Sequence, residues 1–346
     1  MKPFIYYDGS EQKLSEIFSE KEFSEDNAWK SYTKDWALYY HLSPLRKNLL
    51  SWIKFPKKEV NILELGAGCG AITSGLCSLD GVSRHVAVEG SPARAEIAKI
   101  RCKNYSHIEV INSNFEDFKT EEKFDYVFII GVLEYSGKYI NDKEPYQKFI
   151  DHASSYLKDD GVLVLAIENQ FGHKYLAGFN EDHYAKPYVG LSNYSEDVGI
   201  KTFDKETLNK MLEKANLTHR EYFYPFPDYK LPKFILSEEA FSVEGFTPLD
   251  ILDFPTSDLS HKNHKPNFNE KRFLETLQNS VDVTVFMNSF LIFASKSKID
   301  SHSDFLAAKF NTERTKKYQT TKKFKKAENN SIIVETNNDS SNVTDY

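Results

Sequence analysis

The stretch Val60-Asn61-Ile62-Leu63-Glu64-Leu65-Gly66-Ala67-Gly68-Cys69-Gly70-Ala71 is an apolar run that ends in a glycine-rich bend. Glycines at 66, 68 and 70 permit a sharp strand-to-helix turn with φ > 0, and they let a ligand approach bare backbone. The helix that follows is expected to aim free N–H groups at that ligand. Glu89 stands 23 positions after Gly66 (66 to 89), at the end of the next apolar run, where a carboxylate accepts ribose hydroxyls. The spacing describes a pocket for an adenosine-type cofactor. It does not choose the cofactor, because Gly66-x-Gly68-x-x-Ala71 also satisfies the dinucleotide pattern of an NAD(P)-dependent oxidoreductase. Two features favour S-adenosylmethionine. Glu64, at the strand mouth, would repel a pyrophosphate and attract a methionine ammonium. Asn114-Phe115, after the third predicted strand, offers an amide and a ring to an adenine.

A methyl donor needs an acceptor held in line, and a hydroxyl acceptor must also lose its proton. His183, in Asn180-Glu181-Asp182-His183, is the first candidate base, with Asp182 the neighbouring carboxylate. Glu134, after the fourth predicted strand, is the second, as base or substrate ligand; His173 and Asn169 follow. Arg46 and Tyr40 read either as ligands of the methionine carboxylate or as helix packing. No spaced carboxylate set accompanies Asp182 and His183, so no metal is expected. The aromatic run Tyr222–Phe226 reads as strand packing or as a sugar-stacking platform, and alternation lets both hold.

These residues need a scaffold. Strands are predicted at Asn61–Leu65, His85–Val88, Ile108–Asn112, Tyr126–Ile130 and Val162–Ile167, with helices at Ala71–Cys77, Pro92–Cys102 and Tyr146–Leu157. That alternation predicts an α/β fold, a parallel sheet with helices on both faces. Gly161 marks a turn before the fifth strand. Residues 1–57 read as a helical extension broken near Pro44, and 58–297 as the main domain. Irregular insertions at about 168–203 and 225–283 are read as a substrate cap. A helix is expected at Lys205–Ala215, a strand at Glu221–Tyr224, and a strand or strand pair at Val283–Ala294. The segment 298–346 reads as a basic polar tail with one hairpin around Glu328-Asn329-Asn330, its last ten residues disordered.

The chain has 346 residues, a formal charge of −7 and three cysteines without CxxC spacing. The charge argues against nucleic-acid binding, and the cysteines suit a reducing compartment. No apolar run reaches the roughly 20 residues that span a bilayer. The expected location is the cytoplasm, with peripheral attachment to the inner face of the membrane left open.

Glu64-Leu65-Gly66-Ala67-Gly68-Cys69-Gly70, Val88-Glu89-Gly90-Ser91, Asn114-Phe115 and Phe124-Asp125-Tyr126-Val127…Gly131-Val132-Leu133-Glu134-Tyr135 resemble the motif series of class I S-adenosylmethionine-dependent methyltransferases. The resemblance implies a Rossmann-like sheet of seven strands, the last antiparallel, and it adds Ala67, Gly90 and Gly131 to the cofactor site. Three further stretches are Tyr40-His41-Leu42-Ser43-Pro44-Leu45-Arg46, Ile167-Glu168-Asn169-Gln170-Phe171-Gly172 with Glu181-Asp182-His183, and Tyr224-Pro225-Phe226-Pro227-Asp228-Tyr229-Lys230-Leu231-Pro232. They are similar to methyltransferases found with bacterial cell-surface polysaccharide (O-antigen or capsule) assembly. That narrower likeness implies O-methylation of a sugar hydroxyl on a surface glycan or its precursor, a saccharide or glycolipid acceptor, and glycan-assembly enzymes as partners. Where that family often has aspartate after the third strand, this chain has Asn114. The alternatives are a catalytically silent binding protein of the same fold and the oxidoreductase.

Overall fold

Phe124–Ile130 is buried at every position, the pattern of a parallel strand covered on both faces. A computed structural model describes residues 9–20, 28–195, 198–256, 264–299, 301–329 and 331–338. In it the strands β1 (Val60–Leu65), β2 (Val82–Glu89), β3 (Ile108–Asn112), β4 (Phe124–Ile130) and β5 (Leu157–Glu168) pair in parallel. Next to β5 comes β8 (Ser289–Ser295), antiparallel both to β5 and to β6 (His219–Phe226). The order β3-β2-β1-β4-β5-β8-β6 is the expected seven-stranded unit with its antiparallel member.

The sheet does not stop there. β7 (Phe234–Ser237), β9 (Ala307–Phe310), β10 (Thr320–Lys326) and β11 (Ile332–Asn338) extend it beyond β6 to eleven strands. Seven strands was therefore too few. β7 lies inside the stretch read as irregular, and the segment read as a polar tail carries three strands. The lysines that made it look like linker have partners. Lys323 and Lys325 reach Asp304 at 3.0 and 2.8 Å, and Lys325 reaches Glu335 at 2.7 Å. Phe324 packs against the Phe246 ring at 5.9 Å. The hairpin is β10–β11, with register Lys323↔Glu335. Gly161 is not a turn: β5 runs through it, with a register shift against β4. The expectations for the first eight residues, for Asn330 and for 339–346 lie outside the described residues.

Helices α1 (Glu11–Ser19) and α2 (Trp36–Leu42) precede β1; α3 (Ala71–Cys77), α4 (Pro92–Cys102), α5 (Pro145–Ser155), α6 (Lys205–Lys214) and α7 (Glu270–Leu277) follow. Val127 and Ile129 of β4 enter one apolar cluster, and Tyr126, Phe128 and Ile130 enter another, so both faces of the sheet are covered. A third cluster joins Leu14, Ile17, Phe18 and Leu38 of the N-terminal helices to Cys69 and Ile97. That packing seats the N-terminal segment over the glycine bend. The chain breaks at Pro44, which opens a 3-10 turn through Leu49 capped by Ser43.

Partial burial raises the Asp304 carboxyl, but hydrogen bonds from Lys325 and Lys323 outweigh it and hold the group well below its ordinary value. A depressed acid contributes stability above its unfolded pKa and loses it as pH falls. The Asp304 side chain is 42% exposed, so screening keeps the contribution to about 1 kcal/mol or less. We expect amide-exchange protection in β10 to weaken as pH drops below about 4, and Asp304→Asn to remove that pH step. An unchanged step in the variant contradicts the anchoring role.

Candidate active site

The glycine bend is fastened to the end of β2. The Val88 carbonyl accepts from the Gly66 and Ala67 N–H groups at 2.8 and 3.0 Å, and the Ala67 carbonyl accepts from Gly70 N–H at 3.0 Å. One Glu89 carboxylate oxygen accepts from Gly68 N–H and the other from Ser91 N–H, each at 2.8 Å. The N–H groups of Gly66, Ala67, Gly68 and Gly70 are thus satisfied internally. That suits a cationic sulfonium better than a pyrophosphate, which needs free donors.

All three glycines have positive φ, each for its own reason. A Cβ on Gly66 would meet Val132 Cγ2 at 2.5 Å, and one on Gly70 would meet Ala98 Cα at 3.0 Å. Gly70 therefore serves the packing of α3 on α4 and stands behind the cavity wall. At Gly68 a Cβ would approach nothing closer than Arg94 at 3.9 Å, so this position faces the cavity. Gly131 (φ +67) admits the Tyr229 hydroxyl, which a Cβ would meet at 2.5 Å.

A cavity of about 980 Å³ runs from this bend across the C-terminal ends of β1, β2, β3 and β4. Glu64, Gly66, Ala67, Gly68, Glu89, Gly90, Asn114, Phe115 and Gly131 all line it. Glu64 gives one carboxylate oxygen to His85 Nε2 at 3.1 Å. Asn114 Nδ2 donates to Asp117 at 3.2 Å, which turns its Oδ1 toward Gly90. Phe115 stacks against Phe149 at 4.2 Å. These groups fit an adenosyl ligand: a carboxylate for the ribose, an amide oxygen for the adenine amine, a second carboxylate for the ammonium.

The other end of the cavity is charged and mostly buried. Glu134, in the wall, is 1% exposed and Glu168, at the end of β5 beside it, is 0%; Oε2 of each lacks a hydrogen-bond partner among the described residues. His183 Nε2 lies 4.0 Å from Glu134 Oε1. Its Nδ1 pairs with Glu181 Oε1 at 2.9 Å, while Glu181 Oε2 accepts from the His183 and Tyr184 N–H groups at 2.8 and 2.9 Å. The carboxylate that orients His183 is thus Glu181 and not the adjacent Asp182. Asp182 turns instead to Lys174 at 2.8 Å, to Lys230 at 3.4 Å and to the Tyr175 hydroxyl. Lys230 also contacts Glu168 Oε1, and Lys174 reaches Asp228 at 3.3 Å.

Burial pushes the Glu134 carboxyl up, the Glu168 charge adds to it, and His183 and Lys230 oppose; the net is about 8. Burial alone would lower His183, but its hydrogen bond to Glu181 and the charges of Glu168, Glu181 and Glu134 push it up to about 9. Asp182, although buried, is held well below the carboxylate range by Lys174 and Lys230.

Other candidates fall elsewhere. His173 is buried against Phe286 O and Thr256, and burial pushes it down to about 4. Asn169 donates to Val285 O and Met287 O, both at 2.7 Å. Both are structural. Arg46 Nη1 donates to Tyr229 O and Lys230 O at 3.3 and 3.1 Å, and its guanidinium lies 4.6 Å from the Tyr40 ring centre. It holds the Tyr229–Lys230 segment at the cavity wall, so packing is one of its roles. Tyr222, Phe223, Tyr224 and Phe226 are all buried, which makes that run strand packing; the aromatics in the cavity wall are Trp36, Tyr40, Phe115, Tyr135, Tyr139, Phe149 and Tyr229. Sequence reasoning gave no role to Glu168, Glu181, Lys174 or Lys230. Glu168 carried a usable signal, an acidic residue at the C-terminal mouth of a parallel strand.

The methyltransferase-domain family profile matches residues 37–222, more than half of the chain, and the chain belongs to that family. Its cofactor is S-adenosylmethionine, and the oxidoreductase alternative falls with that. Among curated relatives, the mitochondrial ubiquinone biosynthesis O-methyltransferase of Dictyostelium discoideum is 24% identical over 167 residues, covering 45% of this chain and 50% of that protein. Nodulation protein S of Bradyrhizobium diazoefficiens is 26% identical over 198 residues, covering 54% of this chain and 90% of that one. The chain thus spans about half the length of the first of these relatives. Among solved structures, the N-methyltransferase NodS of Bradyrhizobium japonicum WM9 with S-adenosyl-L-homocysteine is 21% identical, with TM-score 0.30, covering 55% of this chain and 86% of that one.

Replacing Glu89 by Ala removes the ribose acceptor and frees the Gly68 N–H. We expect the calorimetric Kd for S-adenosylmethionine to rise at least about tenfold, a loss of roughly 1.4 kcal/mol. An unchanged Kd contradicts the assignment.

Proposed function

We propose that this chain transfers a methyl group to a hydroxyl oxygen of a saccharide-type acceptor, a surface glycan or its lipid- or nucleotide-linked precursor. The observation that carries the reading is the content of the acceptor chamber. Its floor is a set of mostly buried ionisable groups, Glu134, His183, Asp182 and Lys230, and its wall carries Trp36, Tyr40, Tyr135, Tyr139 and Tyr229. Hydrogen-bonding floor groups match a polyhydroxylated ligand, and aromatic rings in the wall match the C–H face of a sugar. A flat apolar acceptor would leave those floor groups unpaired, at a cost of a few kcal/mol each.

When bound, S-adenosylmethionine supplies an electrophilic methyl carbon on sulfur. The acceptor oxygen forms its bond to that carbon as the S–C bond breaks, the bonding pair stays on sulfur, and the hydroxyl proton must leave. Glu64, Glu89 and Asn114 fix the donor end. Gly131 and Val132 separate that end from the floor, where Glu134 and His183 hold the acceptor hydroxyl; both carry a proton at neutral pH, so the fraction able to take the hydroxyl proton grows as pH rises toward about 8 to 9. Glu181 sets the His183 ring so that Nε2 faces the chamber. Asp182 acts at one remove: it anchors Lys174 and Lys230 and so fixes the floor. The same reading supports a cytoplasmic enzyme beside the membrane, working with glycan-assembly enzymes.

Incubation with methyl-labelled S-adenosylmethionine and fractionated cell-envelope glycan from the source organism is expected to place label in the carbohydrate fraction. His183→Gln should lower kcat by about 10²- to 10⁴-fold while cofactor affinity stays within twofold of the parent. Label found only in quinone, lipid-amine or protein fractions contradicts the saccharide reading. Cofactor binding with no transfer to any fraction supports a silent binding protein instead.

A further inference from the structure

We propose that the floor of the acceptor chamber binds one divalent cation through a carboxylate oxygen of Glu134, Oε2 of Glu168 and Nε2 of His183. These three residues each offer a ligand atom, and the atoms lie within 4.8 Å of one another. Oε2 of Glu134 and Oε2 of Glu168 are buried and make no hydrogen bond among the described residues. Buried carboxylate oxygens are rarely left so, because the penalty for an unpaired charge is several kcal/mol. His183 has the arrangement of a metal-ligating imidazole. Nδ1 is committed to Glu181, itself pinned by two backbone N–H groups, and Nε2 is left facing the two carboxylates. An outer carboxylate of this kind sets the ring orientation and strengthens the imidazole as a ligand.

Charge points the same way. Glu134, Glu168, Glu181, Asp182 and Asp228 crowd one mostly buried region, and among the described residues the basic groups paired with them there are Lys174, Lys230 and His183. Lys230 occupies Oε1 of Glu168, and the buried Oε2 is left on the side of Glu134 and His183. A divalent cation offsets the remaining negative charge without displacing either lysine. Two carboxylates and one imidazole suit Mn²⁺ or Mg²⁺, with the nitrogen favouring Mn²⁺. Bonds of about 2.0–2.3 Å require the side chains to close in by a few tenths of an ångström.

Three protein ligands leave coordination positions open toward the cavity, and Glu134 and His183 are in its wall. Paired hydroxyls of a saccharide are bidentate oxygen ligands for such a cation, which also lowers the pKa of an oxygen it holds. That use of the cation rests on the saccharide reading above; the binding itself does not. The proton leaves through the open chamber to water, and the methyl transfer is otherwise balanced as before.

The test uses the full chain freed of metal with a chelator and titrated with Mn²⁺, with free Mn²⁺ followed by electron paramagnetic resonance. One Mn²⁺ per chain at submillimolar Kd is expected, weakened at least tenfold in Glu168→Gln and in His183→Gln. Calorimetric binding of S-adenosylmethionine reports that each variant is folded. Absence of submillimolar binding, or the same binding in both variants, overturns the site. Glycan methylation that persists in chelator, with no Mn²⁺ bound, overturns the cation and leaves the saccharide reading intact. Variant-sensitive Mn²⁺ binding without glycan methylation supports the cation site and removes the saccharide reading.

Discussion

The end of β2 disciplines the cofactor loop. Its Val88 carbonyl and its Glu89 side chain take up the backbone N–H groups of Gly66, Ala67 and Gly68, so the loop can keep its left-handed glycines only while β1 and β2 lie side by side in parallel. That pairing fixes where the cavity begins, which helix turn follows, and which side chains reach the ligand. It also decides the electrostatics. A loop whose donors are already spent is a poor cradle for phosphate and is compatible with the positive sulfur of S-adenosylmethionine, with Glu64 nearby.

The second half of the cavity depends on burial of charge rather than on backbone. Glu134, in the turn after β4, and Glu168, at the end of β5, come together at neighbouring strand mouths, and the segment after β5 folds back to add Glu181, Asp182 and His183. Lys174 and Lys230 join from either side. Arg46, held over Tyr40, anchors the chain on which Lys230 sits. The N-terminal helices and the segment after β6 thus position the chamber wall as well as covering apolar surface.

How much of this could be read in the chain differs between the halves. The cofactor end is local in sequence: strand, glycines and acidic strand end follow one another, so spacing reports geometry. Gly70 shows the limit, since a glycine needed for helix packing has the same signature as one needed for ligand approach. The acceptor end is assembled from distant segments, and no spacing rule links Glu134, Glu168, His183 and Lys230. His183 was legible as a histidine among carboxylates, but the carboxylate that orients it is two residues away, because Glu181 can reach both its backbone N–H and its ring. The outer strands were hidden for another reason. β10, paired between β9 and β11, reads Thr320-Thr321-Lys322-Lys323-Phe324-Lys325-Lys326, which by composition looks like solvated linker until Asp304 is placed beneath it.

A crystal structure of the full chain with S-adenosylhomocysteine tests the account most directly. The account predicts the ribose hydroxyls on Glu89, the adenine edge on Asn114, and the sulfur facing the chamber floored by Glu134 and His183. Density showing the nucleoside elsewhere, or the sulfur turned away from that chamber, would contradict it.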